Sequence, residues 1–305
     1  MWTPDDLDIR IIKAMASPHS FQWDVRISNA RVAEGLSIDE ETVRSRLRHM
    51  TEVGFMEGWQ LILNPVLLGR KAATVELGVK DLESKAEAIS RLEQMDGVTL
   101  IDDFYGSELA VDVLYEDETM LTRQVQLISS LCGGGAPVWW RLGFPPCELD
   151  LARTDWRIIQ VLRMNARGRL SDVARELGLS TRTVKRHMER MAEGKAFYLD
   201  PLLNVGKVGG VRCRFWVVSE ADKKRAIDAK VQSELKRMIS THTAPQEHSY
   251  FIVHCANASE VQELSHWLES LDGVKEVRSN IDVEHIHVQG WLAGEIEKRV
   301  NAPAS

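Results

Sequence analysis

GLSTRTVKRHMER, residues Gly178 to Arg190, decides how the chain is read. Val184, Met188 and Met191 recur at the spacing that puts side chains on one face of an α-helix. Ser180 or Thr181 is placed to cap that helix, and Gly178 before them can take the positive φ of a tight interhelical turn. Upstream, LSDVAREL (Leu170 to Leu177) offers a short helix with Ser171 as its N-cap and Ala174 small enough for close helix approach. Downstream, AFYLDPLLNVG (Ala196 to Gly206) supplies a short β-prone run ending in Asp200-Pro201 that suits a wing. Together these elements spell a winged helix-turn-helix.

The same cadence occurs roughly 140 residues earlier, in GLSIDEETVRSRLRHM (Gly35 to Met50). DIRIIKAM (Asp8 to Met15) matches DWRIIQVL (Asp155 to Leu162), and LNPVLLG (Leu63 to Gly69) matches LDPLLNVG (Leu199 to Gly206). Three matches in one order at similar spacing indicate an internal duplication. The register of the recognition helices stays open, because aligning on Gly-Leu-Ser or on Thr-Val differs by two residues, an extra half-turn. FMEGWQLILNP (Phe55 to Pro65) suggests a longer hairpin in the first copy.

After each winged unit the pattern changes to strand, helix, strand, strand, helix, strand. The first copy reads AATVELGV, Leu82 to Met95, VTLIDDF, LAVDVLY, Glu118 to Leu131 and PVWWRLGF. The second reads VRCRFWVV, a helix through Met238, a weak strand near Ser240 to Ala244, YFIVHCA, Ser259 to Leu271 and VKEVRSNIDV, followed by a helical piece from Trp291 to Val300. The expected architecture is α+β: two winged helix-turn-helix domains (1–69 and 147–206) and two ferredoxin-like βαββαβ sensor domains, 70–146 and 207–305, the last with a C-terminal helix. FPPCELDLART (Phe144 to Thr154) is the expected linker between the halves.

The 305 residues carry a net charge of −7, unevenly spread. Residues 150–201 hold 11 Lys and Arg against 7 Asp and Glu, whereas 71–149 hold 6 against 14. Cys132, Cys147, Cys213 and Cys255 are scattered without a CxxC pair, which suits free thiols in a reducing compartment. No apolar run reaches the ~18–20 residues of a membrane span, and MWTPDDLDIR does not read as a signal peptide. A cytoplasmic protein without a membrane partner is expected.

With these residues in view, the chain resembles the Lrp/AsnC (feast/famine) transcriptional regulators, twice over. The residues are Asp155, Arg157-Ile158-Ile159, Leu170-Ser171, Ala174, Gly178-Leu179-Ser180, Thr183-Val184, Met188, Met191, Asp200-Pro201 and Gly206. Asp8, Ile11-Ile12, Thr42-Val43, Arg46, Met50, Gly54, Asn64-Pro65 and Gly69 take the same parts in the first copy. The resemblance implies a sequence-specific regulator of double-stranded DNA, homodimeric or larger. It also implies modulation by an unidentified small-molecule effector, an amino acid being one candidate. The family's effector turn corresponds to Tyr105, Gly106 and Glu108 in the first sensor, whereas Glu247-His248-Ser249 in the second departs from it. Two copies per chain depart from the single copy of typical members.

DNA contacts are expected from Ser180, Thr181, Arg182, Lys185, Arg186, His187 and Arg190 on the recognition helix, with Arg167 and Arg169 in the preceding loop gripping phosphate. Arg44, Arg46 and Arg48 are secondary candidates, because Asp39, Glu40 and Glu41 open their helix with charge that phosphate repels. Six of nine histidines fall in the second sensor, among them His285 and His287 on one strand face, but no tight ligand motif accompanies them and no metal site is expected. Trp139 and Trp140 point to opposite sides of a strand, one into the core and one to an interface. CGGGAP from Cys132 reads as a helix-to-strand connection. No triad order, phosphate loop or HExxH appears, so neither enzyme activity nor a cofactor is expected. The alternative is a siroheme decarboxylase-like enzyme made of two fused halves, since those enzymes resemble this family. The stretch where they carry His and Arg reads GVTLIDDFYGSE (Gly97 to Glu108) here and has neither.

Overall fold

The computed structural model describes residues 1–15, 27–243 and 248–302. Ala244 and Glu247 lie outside them, as do the side chains of 239–243, His242 included. The first copy runs α1 (Asp6–Met15), α2 (Asn29–Leu36), α3 (Glu40–Glu52), β1 (Met56–Leu63), β2 (Lys71–Gly78), α4 (Leu82–Leu92), β3 (Val98–Phe104), β4 (Glu108–Tyr115), α5 (Glu118–Leu131) and β5 (Val138–Leu142). The second repeats it as α6 (Arg153–Leu162), α7 (Leu170–Leu177), α8 (Thr181–Glu193), β6 (Phe197–Leu203), β7 (Val211–Ser219), α9 (Lys224–Glu234), β8 (Met238–Thr243), β9 (His248–Cys255), α10 (Ala258–Glu269) and β10 (Val274–His287), then adds α11 (Gly290–Asn301). Two helix-turn-helix units and two βαββαβ units are present, as the sequence pattern implies. Each wing supplies one strand, β1 or β6, rather than a hairpin.

The two copies share one register. Helices α2 and α7 are eight residues each, and α3 and α8 thirteen each. Asp39 and Ser180 cap α3 and α8 by accepting from the amides of Thr42 and Thr183 at 2.7 and 3.0 Å. The Thr-Val frame is therefore the true one, and no extra half-turn exists. Gly178 closes α7 in the left-handed region at φ 67°, and its counterpart is Ser37 at φ 57°, not Gly35, which lies inside α2. The N-cap of α7 is Arg169, without a side-chain bond, so Ser171 is helical rather than a cap.

Two compact units divide the chain, one of residues 1–58 with 200–284 and the other of 59–199 with 285–305. The first groups the helix-turn-helix of copy one with the sensor of copy two. Its strands order as β10-β7-β9-β8, all antiparallel, with Phe215 of β7 opposite Phe251 of β9. Phe215, Val217 and Phe251 pack with Val231 of α9 and Leu268 of α10, and each such buried apolar side chain contributes roughly 1.5–3 kcal/mol. The N-terminus is tied to that sensor: the Gly209 amide donates to the Trp2 carbonyl at 2.7 Å, and Arg237 pairs with Asp6 of α1 at 3.1 Å.

The other unit orders its strands β5-β2-β4-β3, antiparallel, with Val75 facing Val111 and Ile101 facing Val111 from the other side. Val75, Ile101 and Val111 meet Leu92 of α4 and Leu121 and Ile128 of α5. Trp140 is buried, whereas Trp139 is 39% exposed beneath the Arg141 guanidinium. Helix α11 belongs here and not with the second sensor as expected from its place in the chain. It packs on α6, where the Arg299 guanidinium lies 5.3 Å from the Trp156 ring and the Arg153 Nε donates to the Val300 carbonyl at 2.7 Å. No helix among the described residues is long and apolar enough to cross a membrane.

Candidate nucleic-acid interface

Helix α8 is amphipathic by construction. Val184, Met188 and Met191 are buried, so the positions between them must face outward. Thr181, Arg182, Lys185 and Arg186 are exposed on that outer face, and Arg169 is exposed at the start of α7. Lys185 reaches Glu189 at 3.6 Å. Among the described residues, Arg182 and Arg186 have no carboxylate partner. The Ser180 hydroxyl is spent on the helix cap.

His187 and Arg190 differ from the sequence expectation. Both turn toward α6, where Asp155 is fully buried. His187 Nδ1 lies 2.7 Å from Asp155 Oδ1, and the Arg190 guanidinium pairs with Oδ2. That same carboxylate accepts from the Ala152 amide at 2.8 Å. A carboxyl group with no exposed surface requires such partners, so the His187 ring and the Arg190 guanidinium hold α8 against α6. Arg167 is likewise engaged, its guanidinium 5.4 Å from the Trp59 ring centre. Sequence reading singled out Asp155 without a role, because its partners lie a full helix-turn-helix away.

The first copy repeats the arrangement with different chemistry. Buried Asp8 accepts from the Asp5 amide at 2.9 Å and receives Arg46 of α3 at 3.2 Å. Burial raises the Asp8 carboxyl above its ordinary pKa, opposed by the bond from Asp5. Arg46 therefore matches His187 and faces inward, not toward a groove. Arg44 is clamped by Glu40 at 2.8 Å and Glu41 at 2.6 Å, and Arg48 lies 3.9 Å from Glu41. Asp39 stays ionised at the helix tip, because the Thr42 hydroxyl and amide hold its carboxyl below the usual range. All three secondary candidates are thus already occupied by carboxylates.

Tyr105 and Gly106 lie in the exposed turn between β3 and β4, which Glu108 opens, and Tyr105 is 79% exposed. Beneath it sits a residue the sequence reading missed. Lys85 of α4 is 5% exposed, and its ammonium donates to the Phe104 carbonyl and, at 2.7 Å, to the Gly106 carbonyl while pairing with Asp103. A lone lysine in an amphipathic helix gives no sequence signal of such a role.

Residues 151–192 match the model of the AsnC-type helix-turn-helix domain. Helices α6 to α8 thus resemble an AsnC-type helix-turn-helix. Over 95 residues the chain is 28% identical to the HTH-type transcriptional regulator Ptr1 of Methanocaldococcus jannaschii, a match covering 31% of this chain and spanning 60% of that relative's length. Two solved structures of the siroheme decarboxylase NirDL, one in complex with an iron-uroporphyrin III analogue, share the fold at a TM-score of 0.58. They cover 97% of this chain and 99% and 98% of their own, at 13% identity. The Lrp/AsnC resemblance and the duplicated α+β architecture hold. The expectation that the chain is not an enzyme is overturned: the fold is shared across nearly the whole chain with an enzyme, the siroheme decarboxylase NirDL.

Proposed function

We propose that this chain is a sequence-specific DNA-binding regulator whose principal contact runs through the AsnC-type domain of the second copy. The observation that carries the reading is the contrast between α8 and α3. Among the described residues, Arg182 and Arg186 stand exposed with no carboxylate beside them, whereas Arg44, Arg46 and Arg48 are each paired with one. Free guanidiniums can release counterions from phosphate or read guanine edges, and pre-paired ones gain little. Thr181, Lys185 and Arg169 complete the surface. A homodimer of such chains presents two α8 helices to a two-fold operator.

Titration against mixed-sequence duplex DNA at several salt concentrations tests this. Arg182→Ala/Arg186→Ala is expected to lower the salt slope by about 2 and affinity by roughly 10- to 100-fold, while Arg44→Ala/Arg48→Ala changes little. An Arg182/Arg186 variant with wild-type affinity and slope sinks the site assignment. Equal losses in both variants sink the asymmetry.

A second reading is an enzyme of the siroheme decarboxylase kind, favoured by the full-length fold match and by the iron-uroporphyrin analogue held by one of those structures. Gly97 to Glu108 offers neither His nor Arg, so its chemistry would fall to other side chains. An absorbance titration with an iron tetrapyrrole separates the two readings: a saturable one-to-one shift of the Soret band supports the second.

A further inference from the structure

In the unit built from residues 59–199 and 285–305, the end of β10 carries a feature that DNA recognition leaves unused. The strand finishes His285-Ile286-His287. Ile286 packs onto the apolar core under α4 and α5, and the Val288 amide donates to the Thr99 carbonyl at 3.0 Å. Those contacts fix the alternation, so both imidazoles occupy the helix-free face of the sheet. Their rings stand nearly perpendicular, centroids 4.6 Å apart, and their ring nitrogens come within 4.8 Å. His285 keeps 19% of its side chain exposed.

The His285 ring is held from behind, and the His287 ring has a side-chain amide beside it. Asp102 of β3, 1% exposed, takes the Nδ1–H of His285. That bond sets the tautomer and leaves Nε2 with its lone pair directed away from the carboxylate. The Gln60 side-chain amide lies 2.8 Å from His287 Nδ1 and 2.9 Å from Nε2. A buried carboxylate behind a histidine, with a second histidine two residues on, is how proteins orient imidazoles toward a metal. Two residues on one strand face are also close enough to chelate one ion at ~2.1 Å per nitrogen.

We propose that His285 and His287 chelate one divalent transition-metal ion of the zinc class, with Asp102 positioning the His285 ring and the Gln60 amide swinging off the His287 nitrogen that takes the ion. Nitrogen ligands select zinc, nickel or copper over calcium or magnesium. Two protein nitrogens leave coordination positions open to water or to an anionic small molecule, so the ion gives this unit a site for an effector. The end of β10 leads directly into α11: Arg163 at the end of α6 donates to the Gln289 side chain at 3.0 Å. Occupancy at the histidines is thus one strand end away from the first helix of the AsnC-type domain.

Calorimetric titration of the full, tag-free chain, stripped with chelator and then given zinc chloride, tests the site directly and does not depend on DNA binding. One ion per chain is expected, with affinity at least 10-fold weaker in His285→Ala and in His287→Ala. Asp102→Asn should weaken it by about 10- to 100-fold by releasing the ring. His266→Ala, on the exposed face of α10, should bind as wild type. Circular dichroism checks each variant, and His285→Gln and His287→Gln stand in for any alanine variant that fails to fold. Cobalt gives a second readout, a visible ligand-field band that the histidine variants should lose. Wild type that takes up no zinc, or histidine variants with unchanged stoichiometry and affinity, overturns the proposal.

Discussion

His254 shows at the scale of one residue how burial turns a titratable group into a stability term. It is fully buried, 6.1 Å from the Phe55 ring, with Nε2 3.0 Å from the Gly209 carbonyl. Desolvation lowers its pKa from 6.5, and the bond to Gly209 only partly opposes this; Arg237 and Arg212 push the same way as burial, and Glu260 against it. Because the unfolded chain takes up the proton first, stability falls as pH drops below about 6.5 and continues to fall until the folded-state value is reached. Urea unfolding of the unit that contains His254 should show this slope between pH 7 and 5. His254→Phe should flatten the slope, and an unchanged slope in that variant would falsify the assignment. Asp8 and Asp155 make the complementary point. Each is a buried carboxylate whose position is legible in the repeat DxRII, yet its partners, Arg46 in one copy and His187 with Arg190 in the other, are set by the three-dimensional approach of two helices. That is why His187 and Arg190 read from sequence as part of a basic surface.

At the scale of elements, helical and strand periodicities made the order of structure legible. Apolar side chains at three- and four-residue spacing specify α1, α3, α6 and α8, and alternation specifies the sensor strands. Register was not legible, because Gly35-Leu36-Ser37 mimics Gly178-Leu179-Ser180 while occupying a different place in the turn. The left-handed residue is Ser37, exposed and paying the Cβ penalty that Gly178 avoids. Ser37→Gly should raise the midpoint of the transition that unfolds α2 and α3, by about 1 kcal/mol after the entropy of the added glycine is counted. Gly178→Ser should cost a similar amount in the second copy. No gain for Ser37→Gly in denaturant titrations would mean that the turn relaxes elsewhere. The wings were over-read for a related reason: β-prone composition marks a strand, but only partner positions decide whether it folds into a hairpin.

At the scale of the molecule, sequence order misleads about which parts cohere. The helix-turn-helix of copy one groups with the sensor of copy two, and the chain passes from one unit to the other after Gly58, Leu199 and Glu284. Nothing in local pattern encodes this, since Trp2 with Gly209 and Asp6 with Arg237 are pairs over two hundred residues apart. A consequence follows for dissection. Fragments 1–146 and 147–305, expressed alone, each lack part of both units. They should be poorly soluble and expose apolar surface, yet associate when produced together. Copurification through a tag on one fragment checks this, and an independently folded, monomeric 1–146 fragment would count against it.

The exchange of segments also imposes a timetable. On the ribosome, α1 to α3 emerge early, but the sensor that completes their unit ends only at Glu284. At roughly 5–20 residues per second, those helices wait on the order of ten to forty seconds for their partner. Most of the other unit, residues 59–199, is continuous and can consolidate during the delay. These early-made helices are thus among the last to settle, and slowing or stalling synthesis between Leu199 and Glu284 should leave them the most exposed to proteases and chaperones.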